Sequence, residues 1–193
     1  MNNGKIEKIN WQQYGRVAVF IDVANIIYSL KKLNWRMDYK KLQKYFKKES
    51  KLIDIYFYYS TKKENSGQAN LLEMLARKGF QLRVKEVKII KLRNKEVMFK
   101  GNCDVELTID MIDLMPAYDT SVLLSGDSDF APLIRYVQKH GKKVIAISTR
   151  GHISKEIIQS VDKFMWFNWF KDYWNLIPQN HKTPRPEGQQ GLG

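Results

Sequence analysis

The amino-acid sequence predicts an α/β fold, with three layers and a mainly parallel central sheet flanked by helices. Strand-length apolar runs alternate with segments of helical period along most of the chain. Several of those runs are almost continuously apolar, as expected of parallel strands covered on both faces. No repeat or internal linker breaks the alternation, so the 193 residues read as one domain with short flanking segments.

Strand-like runs fall at residues 17–22, 52–59, 80–84, 121–124 and 143–147, with a weaker one at 164–167. Helices fit between them. Ile26, Leu30 and Leu33 share one face by their spacing, as do Phe130, Leu133, Ile134 and Val137, with Gly141 placed to end that second helix. Further helices are predicted over 38–47, over 68–78 before Gly79, and from Asp104 to Met115. The stretch 87–99 reads instead as a basic hairpin turning about Arg93-Asn94-Lys95. Residues 1–14 are polar and expected to be loose. The domain is expected over 15–177, and 178–193, with three prolines and three glycines, as a disordered tail.

Composition narrows the chemistry. The chain is 44% hydrophobic and 27% charged, and has no apolar run of the roughly 18 to 20 residues that would span a bilayer. Residues 1–13 lack the apolar core of a signal peptide. A single cysteine, Cys103, excludes an internal disulfide and a cysteine zinc cluster, and the histidines (His140, His152 and His181) are scattered. A reducing cytoplasm is the expected compartment. The net charge of +13 suits a polyanionic partner. It is clustered: residues 31–51 hold nine Lys or Arg against two acids, and residues 83–100 hold seven against two. Such clusters are equally the solvated faces of helices and hairpins.

In a parallel sheet the site lies beyond the carboxyl ends of the strands, and acids gather there. Asp22 ends the first strand with Asn25 one turn beyond, and taken alone it is best read as a helix cap. Ser125-Gly126-Asp127-Ser128-Asp129-Phe130 follows another strand, with Gly126 fitting a tight turn and Pro132 a first helical turn. A cap needs one acid, so the pair Asp127 and Asp129 calls for a cation between them. On a helix starting at Asp104, with about 100° per residue, Glu106, Asp110 and Asp113 form a solvent face. Asp104 falls opposite, beside Thr108, Met111 and Met115, where an unpaired carboxylate would be costly to bury. Four acids so placed could hold one or two hard divalent cations, Mg2+ or Mn2+. Two ions about 4 Å apart can clamp the attacking and leaving oxygens of a phosphodiester.

Three segments carry a family resemblance. Phe20-Ile21-Asp22-Val23-Ala24-Asn25, Lys100-Gly101-Asn102-Cys103-Asp104-Val105-Glu106-Leu107 and Ser125-Gly126-Asp127-Ser128-Asp129-Phe130 resemble, in order, the three motifs of NYN-domain proteins. These are the LabA-like branch of the PIN-like nucleases. The resemblance runs from about Arg16 to Phe167, through Gly141 and Val161-Asp162-Lys163-Phe164. It implies a PIN-like, Rossmann-like fold and magnesium- or manganese-dependent cleavage of RNA. Asp22, Asp104, Asp127 and Asp129 would then be the catalytic and metal-binding cluster, with Asn25 and Ser125 beside it. Two departures stand out: Val23-Ala24 where many members have glycine after the aspartate, and the polar Asn102-Cys103 before Asp104.

Lys100, Arg150 and Lys155 lie near the same edge as candidate phosphate contacts. Cys103 reads as a packed residue, since no histidine is placed to activate it. The aromatics at 56–59 and 166–174 could stack bases, although core packing explains them better. The expected function is a metal-dependent ribonuclease. The alternative is an RNA-binding regulatory module with little chemistry. A small-molecule phosphatase is disfavoured by the basic surface and by the lack of Asp-x-Asp after the first strand.

Overall fold

A computed structural model of the chain describes residues 9–32, 35–61, 66–91, 97–174 and 177–178. In chain order the elements are β1 (Arg16–Asp22), α1 (Val23–Lys32), β2 (Trp35–Arg36), α2 (Tyr39–Glu49), β3 (Lys51–Thr61), α3 (Ser66–Arg77), β4 (Gln81–Glu86), β5 (Lys88–Lys91), β6 (Val97–Lys100) and α4 (Asp104–Asp113). Then come β7 (Thr120–Leu124), α5 (Ala131–Lys139), β8 (Lys143–Ser148), α6 (Lys155–Ser160), β9 (Lys163–Trp166), α7 (Lys171–Trp174) and β10 (Ile177–Pro178).

Six strands form one parallel sheet in the order β4-β3-β1-β7-β8-β9. β1 is central: Val19 lies between Ile55 of β3 and Val122 of β7. Side chains alternate across a strand, so its residues divide between two cores. Val17, Val19 and Ile21 join Phe57, Leu124 and Ile147 under α1, α2 and α3. Ala18 and Phe20 join Tyr56, Tyr58, Leu123 and Ala146 under α4, α5 and α6. This double coverage is why the strands read as unbroken apolar runs, and it makes the predicted three layers. No helix among the described residues is long and apolar enough to cross a membrane.

The weak sixth strand forms at 163–166, and the basic hairpin forms as antiparallel β5 and β6. Its turn at Arg93-Asn94-Lys95 lies outside the described residues, as do Leu33, residues 1–8 and the tail 179–193. The aromatics take the packing role: Tyr56 to Tyr59 are buried in β3, and Trp174 stacks on Phe170 at 4.2 Å and 7°. On α2, Asp38 caps the first turn while Lys40, Lys44, Lys47 and Lys48 face solvent, the plain reading of that charge run.

The loose N-terminal segment needs correction at its inner end. Trp11 begins a short 3-10 turn (Trp11–Tyr14) and is 1% exposed, packed edge-on to Phe46. Its indole N–H donates to the Tyr45 hydroxyl at 2.8 Å. A tryptophan in a polar stretch offers no periodicity, so the sequence pattern does not reveal its docking. Replacement of Trp11 with alanine is expected to cost about 3 to 5 kcal/mol, as for other buried aromatics. Urea unfolding followed by circular dichroism measures this; a loss under about 1 kcal/mol would return Trp11 to the loose segment.

Candidate active site

Parallel pairing brings the carboxyl ends of β1 and β7 side by side, and with them Asp22 and Ser125. Asp22 is 7% exposed. Its Oδ2 accepts the Ser125 hydroxyl at 2.8 Å, and its Oδ1 accepts the Asn25 backbone N–H at 3.2 Å. It therefore serves α1 as a cap while sitting at the sheet edge. Burial pushes its carboxyl above the usual carboxylate range; the Ser125 hydroxyl and nearby backbone N–H groups pull it back, and the Asp127 charge adds to the rise.

The β7 turn is tied to the same place. The Asn25 side-chain carbonyl accepts the Gly126 N–H at 3.1 Å, and Ser125 Oγ accepts the Asp127 N–H at 3.2 Å. Asp127 Oδ1 accepts the Asp129 N–H at 3.1 Å, capping a 3-10 turn (Ser128–Phe130) that leads into α5. The cap of this turn is thus Asp127, and Asp129 stands exposed without a capping task. Gly126 is needed for proximity. A Cβ there would lie 1.8 Å from the His152 carbonyl oxygen. The loop after β8 folds onto it, with Ser154 donating its N–H to the Gly126 carbonyl at 3.0 Å.

Asp104 opens α4, half-buried, and accepts a hydrogen bond from the Asn102 amide. Its carboxyl is pushed up to about 6, first by burial and then by the charges of Asp22, Asp127 and Asp129. The four predicted acids thus share one electrostatic neighbourhood, although they come from three separate segments. As they stand, no three acidic, histidine or cysteine side chains among the described residues are arranged to hold one metal ion. Each of Asp22, Asp104 and Asp127 is turned toward a local hydrogen-bond donor instead. The donor set fits a hard divalent cation by charge and chemistry; closing around one requires side-chain rotation.

The other candidates are less tightly gathered. Arg150 is exposed, its guanidinium 5.3 Å from the Trp166 ring centre, and Lys155 is exposed at the start of α6, capped by Ser154. Lys100 pairs with Lys88 in the hairpin, and its side chain lies outside the described residues. Cys103 is buried near the Ser60 hydroxyl at 3.6 Å, and burial pushes its thiol up, consistent with a packed role.

The predicted solvent face of α4 is corrected. Glu106 accepts from Lys85 at 2.7 Å, and Asp110 pairs with Arg83 at 2.8 Å and with the Tyr58 hydroxyl at 2.9 Å. Both acids lean on the sheet edge because β4 presents cations there. Lys85 also feels the charge of Asp104, so it borders the cluster. Its signal was present: Arg83 and Lys85 are two apart on a strand and so share a face. A second unanticipated pair is Tyr28 of α1 and His152, edge-to-face at 5.4 Å beside the Gly126 turn.

Fold and site together define a three-layer α/β domain with acids gathered at the carboxyl edge of its sheet. The NYN domain model matches residues 16–168, and the chain belongs to the NYN domain family. NYN domains are part of the PIN-like nuclease superfamily, whose members generally use divalent metals, so this is a nuclease-like domain. The chain is 29% identical to the low amplitude and bright protein LabA of Synechococcus elongatus over 176 residues, covering 89% of this chain and 91% of that one. A shorter stretch of 64 residues is 36% identical to the uncharacterized protein MJ0482 of Methanocaldococcus jannaschii, covering 32% and 27% of the two. The crystal structure of VPA0982, a Vibrio parahaemolyticus protein of unknown function, has the same fold. It superposes with a TM-score of 0.68 at 24% identity, over 85% of this chain and 97% of that one.

Two measurements test this geometry. Gly126→Ala is expected to destabilise by about 1 to 3 kcal/mol, because the His152 loop must move aside; an unchanged denaturant midpoint would refute the close approach. The second concerns Asp104. Its folded carboxyl holds a proton up to about 6 against an ordinary value of 3.8. The folded state therefore binds more protons than the unfolded chain in that window, and stability falls as pH rises through it. Asp119, held down to about 2 by Arg16, contributes with the opposite sign at lower pH. Melting temperature, measured without divalent ions, is expected to fall from about pH 4 to about pH 6.5, less steeply in Asp104→Asn than in the parent. Identical slopes would show that Asp104 is not under this repulsion.

Proposed function

We propose that the protein is a metal-dependent ribonuclease hydrolysing RNA phosphodiester bonds at the acidic cluster. One observation carries the reading: the ends of β1 and β7 and the start of α4 bring four acids together, where burial and then the charges of Asp22, Asp127 and Asp129 raise the Asp104 carboxyl to about 6. Like charges gathered at a sheet edge are stabilised by a cation, and they are costly without one. Membership of the NYN family supports RNA as the substrate.

In this reading Asp22, Asp104, Asp127 and Asp129 hold Mg2+ or Mn2+. A bound ion would lower the pKa of water and neutralise charge developing on the scissile phosphate. The chain's own residues provide the frame. Ser125 keeps Asp22 oriented by donating to Oδ2, and Asn25 keeps the β7 turn beside it by accepting from Gly126. Asp129 is exposed, and Asp127 bridges it to Ser125 through backbone N–H contacts. Arg150, Lys155 and Lys100 contact phosphates flanking the cleaved bond, drawing on the excess positive charge.

Cleavage of a labelled single-stranded RNA tests this. Activity should require Mg2+ or Mn2+, and Asp127→Asn and Asp104→Asn should each lower the rate by about a hundredfold or more, the scale of losing electrostatic stabilisation. Intact RNA with both metals across varied substrates, alongside salt-sensitive binding that survives the double substitution, would replace the enzyme with an RNA-binding regulatory module.

A further inference from the structure

We propose that single-stranded RNA leaves the acidic cluster on the β9 side, crossing Tyr28–His152 and then Arg150–Trp166. This rests on RNA as the ligand of the acidic site. The sheet order sets out the route: Asp22 ends β1, the Ser125 to Asp129 turn follows β7, the loop with Arg150 and His152 follows β8, and Trp166 ends β9. Across those neighbouring strands the carboxyl edge runs about 14 Å.

The two flanks of the cluster differ in kind. Toward β4, two strand cations already have acids: Lys85 is bound to Glu106 and Arg83 to Asp110. A phosphate there must displace a carboxylate. Toward β9, Arg150 meets an aromatic face, which leaves its N–H groups in the guanidinium plane able to fork onto a phosphate. Trp166 pairs with Ser148 in register, so the Arg150–Trp166 contact sits at the strand ends.

Tyr28 is 57% exposed, unusual for a tyrosine one face-to-edge contact from a buried turn. Its ring stands at 90° to that of His152, with centroids 5.4 Å apart. The His152 carbonyl presses on Gly126, so the pair is anchored one residue from Asp127. An exposed tyrosine followed by an exposed arginine suits an unpaired base on a phosphate chain. Duplex bases are already stacked and cannot use them.

The test is fluorescence anisotropy of a fluorescein-labelled oligouridylate with EDTA present, so that binding is read without cleavage. Tyr28→Ala and Arg150→Ala are each expected to weaken binding at least about fivefold, with Tyr28→Phe near the parent. Lys48→Ala, at the amino end of the sheet, should stay within about twofold, and a duplex of the same length should be indifferent to Tyr28→Ala. Unchanged affinity in Tyr28→Ala and Arg150→Ala overturns the route, as does an equal loss for single strand and duplex. Failure here is separable from failure of the nuclease reading. Cleavage abolished by Asp127→Asn with normal binding in Tyr28→Ala removes the route alone; the predicted binding losses without cleavage by the parent support the route and remove the nuclease.

Discussion

Two hydrogen bonds between residues about a hundred positions apart hold the carboxyl ends of β1 and β7 together. Ser125 donates to Asp22, and Gly126 donates to Asn25, with separations of 103 and 101 residues. Both are made at the end of a buried parallel pair, where a lost partner would leave a polar group stranded. They fix the first acid against the turn that carries two more. Backbone pairing alone sets the register of the strands, but it leaves the turn beyond Leu124 free to swing. The side-chain ties remove that freedom, and Gly126 lets the loop after β8 close over them.

The ties also explain how acids are tolerated so close together. Asp22 spends both oxygens on donors, Asp127 spends one on the Asp129 N–H, and Asp104 leans on Asn102. Local donors thereby offset part of the repulsion. Burial and the neighbouring charges still raise the carboxyls of both Asp22 and Asp104, and Asp104 stands on a different segment, at the first turn of α4.

Much of this was legible in the sequence because the sheet is buried on both sides. Unbroken apolar runs marked the strands, and the carboxyl-edge rule pointed from Leu124 to Asp127 and from Ile21 to Asp22. The α4 reading was less accurate for a physical reason. Buried Leu107 and Met111 centre its inner face about 40° from Asp104, so Asp104 lies on the flank and not at the middle. Glu106 and Asp110 lie on the other flank, and a pattern that equates acid with solvent could not anticipate their partners on β4. Trp11 and Tyr28 escaped similarly: what holds one and exposes the other depends on residues distant in sequence.

Charge on the two flanks of the cluster follows from those β4 pairings. Lys85 and Arg83 face acids of α4, so these two strand cations are paired where they approach the site. These half-buried ion pairs bear on which way the positive field opens. On the β8 and β9 side, Lys155 is exposed and Arg150 rests on an indole. A polyanion approaching a cluster of four carboxylates is repelled at its centre and must be held from the periphery. The periphery able to do so, at the carboxyl edge, is the one where cations meet aromatic rings.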